Sequence, residues 1–370
     1  MKRVLFFIHD LMGGGAEKVL VNLVNHLDKS NFDVTLQTLF DIGVNRDRID
    51  KSVKYIGGYS KALKGNSHVL KMFSPEWLFR HFIRNDYDII VSYLEGPCAR
   101  IVSGCTNPET KLVCWIHSKT DTKEKAANGF RSYREAKECY QRFDNIVCVS
   151  QWVKDYFVKT FDYKKRIEVL YNTIETDRIA SLANAPIREV MFDPDYINLC
   201  STGKITANKA FDRIARIQKR FVDEGLKTRV YILGVGEEQK RIETYLKDNK
   251  LDNCFFFLGF RTNPYQYVKK CDIYICSSYS EGFSTAVTEA LIVGTPVVTT
   301  LCSGMTELLG DHNEYGIVTE NDEESLYEGI REMVVSKEVR DRYAALALER
   351  AKRFSTEKTT GAVEKMLSEV

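Results

Sequence analysis

Glu281 and Glu289 stand eight residues apart in SSYSEGFSTAVTEALIVGTPVV, residues 277 to 298. An apolar run, DIYIC, leads into small residues and then a helical pattern. With Ser284 to Val293 helical, Glu289 sits about a turn and a half inside the helix, while Glu281 stays on the loop at its mouth. The two carboxylates then face one cleft from different depths. The free backbone N–H groups of Phe283, Ser284 and Thr285 favour an anionic oxygen or phosphate. Carboxylates that accept from hydroxyls beside an anion site suit a phosphorylated sugar. The same spacing also fits a solvated helix face, so the neighbouring segments decide.

GKITANK, residues 203 to 209, starts at Gly203 and places Lys204 and Lys209 on one strand-to-helix loop. Two lysines converging at a strand end can neutralise a diphosphate as a bond to it breaks; two exposed loop lysines are the plainer alternative. His117 ends KLVCWIH beside Ser118, either as a satisfied strand-end histidine or as a ligand contact. Gly13, Gly14 and Gly15 lie between the first strand candidate and a helical pattern, where bare backbone can approach a phosphate. Lys18 stands where a dinucleotide fingerprint wants its third glycine, and only Asp41 comes near the expected acidic position. Gly234-Val235-Gly236 also ends a strand, with Gln239 at the third glycine position. Tight-turn packing explains either cluster, and neither supports a nicotinamide enzyme.

Asp86-Tyr87-Asp88 and Asp193-Pro194-Asp195 read as turns and caps rather than chelators. The chain has no zinc spacing, P-loop or Gly-x-Ser-x-Gly elbow, so no metal is expected.

These residues need elements to hold them. Apolar runs at 3–9, 33–40, 88–94, 111–117, 145–150 and 166–172 predict strands, and Val19, Leu20, Leu23, Val24 and Leu27 recur at helical spacing between the first two. After a looser stretch at 174–195 the pattern restarts, with strands at 197–203, 229–236, 253–260, 272–278, 295–300 and 315–320. Asp212 to Glu224 and Glu237 to Asp248 read as helices between them. Strand and helix alternating through both halves predict an α/β chain of two Rossmann-like, doubly wound domains, with the ligand cleft where their strand-end loops face each other. The expected domains are 1–185 and 186–353, with a helix at about 354–370 packing back on the first. At 370 residues the chain is long enough for two.

A formal net charge of +2 gives no reason to expect nucleic acid. Residues 111–166 carry thirteen Lys or Arg against seven Asp or Glu, a local +6, which fits solvated helix faces or a peripheral contact with an anionic membrane through the N-terminal domain. His9 and Asp10 cut the first apolar run too short for a signal peptide or a span, so a cytoplasmic protein is expected, with that contact at the inner face of the cell membrane. Ten cysteines without a Cys-x-x-Cys pair read as reduced core residues.

Taken together, MGGGAEK, the strand-end His117, Asn172 at the end of RIEVLYN, GKITANK and SEGFSTAVTEALIVGTPVV resemble glycosyltransferase family 4, the retaining nucleotide-sugar transferases of the GT-B fold. The last segment matches the family's Glu-x7-Glu motif, with Gly294, Pro296, Val297 and Val298 following. The resemblance implies that Glu289 holds the ribose hydroxyls of the nucleotide. Glu281, with the backbone of Gly282, Phe283, Ser284 and Thr285, would hold the transferred sugar. Lys204 and Lys209, on the loop opened by Gly203, would meet the diphosphate. Lys204 replaces the family's usual arginine, keeping the charge and losing the bidentate fork. Gly14 and Gly15 would approach the phosphate, His117 the donor sugar or its leaving group, and Phe260 and Arg261 would border the base. The implied substrates are a UDP-sugar and a lipid-linked or surface-polysaccharide acceptor, read by loops such as 57–75 and 118–135, with no cofactor. A non-catalytic sugar-nucleotide-binding subunit and a GT-B UDP-sugar epimerase remain open as alternatives.

Overall fold

The computed structural model describes residues 1–61, 65–190 and 192–370, so residues 62–64 of the 57–75 loop lie outside the described chain. The chain divides into two compact units, Met1–Ile174 with Thr356–Val370, and Glu175–Ser355.

The first unit is built on β1 (Lys2–Ile8), β2 (Phe32–Thr38), β3 (Lys54–Ile56), β4 (Ile89–Ser92), β5 (Lys111–Ile116), β6 (Asn145–Cys148) and β7 (Arg166–Val169). They form one parallel sheet in the order β3-β2-β1-β4-β5-β6-β7. Five consecutive residues of β1, Val4 to Ile8, have no exposed surface, as a central strand covered on both faces requires. Each such side chain contributes about 1.5–3 kcal/mol by leaving water. The short edge strand β3 joins at Thr35↔Lys54 and has no fully buried residue, which is why no apolar run announces it.

The last helix, Thr356–Glu369, covers this same unit. The Lys2 ammonium donates to the carbonyls of Leu367 and Ser368, both at 2.9 Å, placing a cation at the helix's C-terminus. Asp28 N–H donates to Glu364 at 2.7 Å, and Arg166 pairs with Glu369 at 2.7 Å.

The second unit repeats the plan with β8 (Ile197–Thr202), β9 (Thr228–Leu233), β10 (Phe255–Gly259), β11 (Ile273–Cys276), β12 (Val297–Thr300) and β13 (Ile317–Thr319). Its parallel order is β10-β9-β8-β11-β12-β13. The helix Thr176–Leu182 packs on the helices Tyr265–Lys270 and Thr285–Ile292, so the second unit takes in residues from 175 on, earlier than the 186 read from the sequence. In both units the strand order reverses beside the first strand, between β1 and β4 and between β8 and β11. Both are doubly wound sheets, and ligands of such sheets bind at the carboxyl ends of the strands around that reversal.

Candidate active site

In the second unit the loops after β8 and β11 meet at the reversal point. Lys209 donates its ammonium to Glu281 Oε1 at 2.6 Å, and Ser278 Oγ donates to the same oxygen at 2.6 Å. The backbones of the two loops are tied together as well. Tyr279 N–H donates to the Asn208 carbonyl at 2.9 Å, Asn208 Nδ2 to the Ser280 carbonyl at 2.8 Å, and Ser277 Oγ to the Lys209 carbonyl at 2.7 Å. Burial opposes the Lys209 charge, but the Glu281 carboxylate outweighs it and raises the ammonium's pKa, keeping it protonated. Ala210, next in the chain, is held at φ +51°, left-handed backbone that an alanine rarely adopts.

Behind Glu281 the helix Thr285–Ile292 begins with Ser284, whose hydroxyl accepts from Val287 N–H at 3.3 Å. Glu289 lies in its buried flank, 8% exposed among Val287, Thr288, Ala290 and Leu291. Gly294 closes the helix at φ +78°: its N–H reaches the Leu291 carbonyl at 3.1 Å and Thr295 N–H the Ala290 carbonyl at 3.0 Å. That double bond pattern is a Schellman end, which explains the glycine of the GTPVV segment by backbone geometry. Ser303 Oγ donates to the Gly282 carbonyl at 2.9 Å, fixing the SEGF turn from the loop after β12.

Lys204 does not join this pair. It is exposed, with its ammonium 3.9 Å from Glu237. Gly203, at φ +146°, has the Lys209 side chain as its neighbour. Gly234 and Gly236 are packing residues, since a Cβ on either would fall 1.9 Å from the Gly203 carbonyl oxygen or 2.1 Å from that of Ile205. Phe260, 68% exposed, and Arg261, paired with Glu189 at 2.9 Å, follow β10 at the same sheet end.

In the first unit Gly14 precedes the helix Gly15–His26 with ordinary extended backbone, and the atoms nearest to where a Cβ would stand on it belong to the Glu17 carboxylate. Burial, with Asp10 adding to it, raises the Glu17 pKa. Asp10 itself is occupied by His9 Nδ1 at 2.7 Å and Met12 N–H at 2.9 Å. At the end of β5 the His117 ring packs 4.9 Å from Tyr93, and its Nε2 is buried without a hydrogen-bond partner. Burial pushes its pKa down to about 4, against the pull of Glu95, so the imidazole is neutral at pH 7. Glu95, after β4, accepts from His117 N–H at 2.9 Å and from the Ser118 hydroxyl. One aspartate of each Asp-x-Asp spelling is used structurally: Asp88 pairs with Arg3 at 2.9 Å, and Asp193 with Arg229 at 3.2 Å.

The family model described as Glycosyltransferase Family 4 matches residues 13–178, and that described as Glycosyl transferases group 1 matches 187–350. The chain belongs to glycosyltransferase family 4. This transferase is 27% identical over 376 residues to N-acetylgalactosamine-N,N'-diacetylbacillosaminyl-diphospho-undecaprenol 4-alpha-N-acetylgalactosaminyltransferase of Campylobacter jejuni, covering 96% of each chain. It is 22% identical to the lipopolysaccharide core biosynthesis glycosyltransferase LpsE of Rhizobium meliloti, again over 96% of each. The crystal structure of Anabaena HepE with UDP and glucose superposes with a TM-score of 0.80 at 17% identity over the whole of both chains, and the shared architecture is the GT-B fold.

Several residues around the candidate site carry no sequence signal. Asn321, after β13, donates Nδ2 to the carbonyls of Tyr279 and Leu301, both at 3.1 Å, and its Oδ1 accepts from Arg213 at 2.8 Å. Arg213, 5% exposed, lies over the Tyr279 ring at 3.9 Å. The loop that carries Glu281 is thus braced from a residue forty positions downstream of it. Ser278, Ser303 and Glu95 were equally silent, because a lone polar residue at a strand end looks the same whether it braces a site or caps a turn.

Proposed function

We propose that this glycosyltransferase moves a hexose or N-acetylhexosamine, with retention, from a UDP-sugar to a lipid-linked or surface-polysaccharide acceptor. The observation that carries the reading is the Lys209–Glu281 pair standing at the strand reversal, with the buried Glu289 on the capped helix behind it. Glu289 holds the ribose, Glu281 and the SEGF backbone hold the sugar, and Lys209 passes from Glu281 to the donor diphosphate. Lys204, exposed and weakly paired, is free to turn toward the same phosphates. In the first unit the exposed Gly14 and Gly15 offer bare backbone, and the neutral His117 has an unpartnered ring nitrogen for a sugar hydroxyl.

The bond from the anomeric carbon to the UDP oxygen breaks and a bond to the acceptor oxygen forms on the same face. The acceptor's proton passes to the departing diphosphate, and Lys209 stabilises the charge that develops there. Neither glutamate is a covalent nucleophile, and no metal is required for this step. The relative's printed name, an alpha-linking transfer onto a diphospho-undecaprenol-borne glycan, supports the lipid-linked acceptor, and an alpha product fits retention from an alpha-linked donor.

A panel of UDP-sugars, assayed with membrane lipid extract in the presence of chelator, tests the reading. Labelled product on lipid is expected, with Glu289→Ala raising the Kd for UDP about tenfold or more, the scale of a lost charge-assisted hydrogen bond. An altered free UDP-sugar, or unchanged UDP binding in the variant, would refute it.

A further inference from the structure

Leu11 and Met12 join β1 to Gly13, Gly14 and Gly15, and a second loop of the same unit holds them in place. Leu11 N–H donates to the Ile42 carbonyl at 3.0 Å, and Asn45 N–H donates to the Leu11 carbonyl at 3.1 Å. Gly43, at φ +122°, lets the two backbones lie in contact, since a Cβ there would fall 2.0 Å from the Leu11 carbonyl carbon. Met12 N–H donates to Asp10 at 2.9 Å, and the Met12 carbonyl accepts from Asn45 Nδ2 at 2.5 Å. The three glycines that follow are exposed, so the hold on Met12 sets where they start.

Asn45 is itself held. It is 6% exposed, and its Oδ1 accepts from Arg48 Nη1 at 3.3 Å. Arg48 Nη2 donates to Asn22 Oδ1 at 2.9 Å, and Asn22, buried on the helix Gly15–His26, donates Nδ2 to the Thr173 carbonyl at 3.2 Å. An arginine can only donate, so both asparagines turn their oxygens toward Arg48 and their nitrogens away, one to Met12 and one to Thr173. The same helix grips the Arg48 backbone, with Asn25 Nδ2 donating to its carbonyl at 2.8 Å. Thr173 stands beside Ile174, where the chain leaves this unit, and Thr356, where it returns, donates Oγ1 to the Ile174 carbonyl at 2.8 Å. A row of paired side chains thus runs from the glycine loop to the point of departure and return.

Apolar side chains would fill this space at a lower desolvation cost. A paired polar row instead fixes directions, and at its loop end it fixes one carbonyl. We propose that Asn45 and Arg48 are positioning residues of the transfer reaction, which set the glycine loop through the Met12 carbonyl, with Asn22 tying that setting to Thr173. Neither side chain touches substrate, yet a displacement of about 1 Å in a group that does can cost about 10²-fold in rate. The catalytic part rests on the approach of Gly14 and Gly15 to the donor phosphate proposed above.

Asn45→Asp keeps the size of the side chain and its acceptor for Arg48, but turns a second acceptor toward the Met12 carbonyl. In the full chain, amide hydrogen exchange should quicken in peptides spanning 10–16 and stay unchanged in β1, which shows that the unit is folded. Turnover, read as kcat, should fall about tenfold or more, while the Kd for UDP moves by less. Arg48→Lys, which cannot reach both asparagines at once, should act in the same direction and retain more of kcat than Arg48→Ala. If Asn45→Asp does not fold, Arg48→Lys carries the same readouts. Joined with Asn45→Asp it should cost no more than the costlier single change, as one connected row requires. Exchange at 10–16 that ignores the variants, exchange that quickens equally across β1, or additive losses of kcat would each overturn the proposal. Faster exchange at 10–16 with unchanged kcat would overturn its catalytic part by taking the glycine loop away from the donor phosphate, so that failure is told apart from failure of the row.

Discussion

Two glycine clusters follow strands in this chain, and they do opposite things. At Gly234 and Gly236 the missing Cβ is filled by the chain itself, since the Gly203 and Ile205 carbonyls of the lysine loop lie against them. At Gly13 nothing lies within 4 Å of where a Cβ would stand, and at Gly14 the nearest atoms are the movable end of Glu17. One cluster is glycine so that backbone can lie on backbone, while the other leaves its backbone open to solvent or ligand. Similar spelling therefore divides into support and approach, and only the surroundings tell them apart.

Substitutions at these positions can break or sharpen that contrast. The largest effect is expected for Gly234→Ala, where a side chain meets both the Gly203 carbonyl and a φ of +150°. It should destabilise by about 2–4 kcal/mol in urea melts and cost turnover as well, because the loop bearing Lys209 must move. Lys209→Ala separates position from charge. Turnover should fall about 10²–10³-fold, the scale for removing one preorganised transition-state donor, with full activity sinking the site assignment. Gly14→Ala should reduce turnover about tenfold with a melting midpoint inside about 0.5 kcal/mol of wild type, whereas Gly13→Ala should leave both alone. If Gly14→Ala instead unfolds the protein, the first cluster is support too and the contrast fails.

The smallest effect concerns pH. His117 has a folded pKa of about 4 against an ordinary 6.5, so between those values the unfolded chain binds a proton that the folded chain refuses. Stability from this residue is whole above pH 6.5 and is lost as pH falls toward 4. His117→Gln should flatten the melting temperature across that window, and an unchanged slope would show that the ring is not held neutral by burial.

The sequence made the architecture legible because central parallel strands need continuous apolar runs, and twelve such runs sit at observed strands. It missed β3, one exposed and two half-buried residues at an edge. The placement of the candidate site residues was legible only in part. Glu281, Glu289, Gly203 and Lys209 lie on strand-end loops and a helix that periodicity can place. That Lys209 turns to Glu281 while Lys204 turns to Glu237 depends on side-chain direction across contacts 72 and 33 positions long, which no local pattern encodes. Asn321 and Arg213 illustrate the same point, since their importance comes entirely from which carbonyls lie beside them.

The return of Thr356–Glu369 to the first sheet has a consequence for how the protein is made. The second unit is an insertion within the first, whose covering helix is synthesised only after the whole of that insertion. Lys2 waits for partners more than 360 positions away. A ribosome therefore releases an entire second unit before the first can close, and a chain clipped ahead of residue 356 keeps an intact half inside an unfinished one.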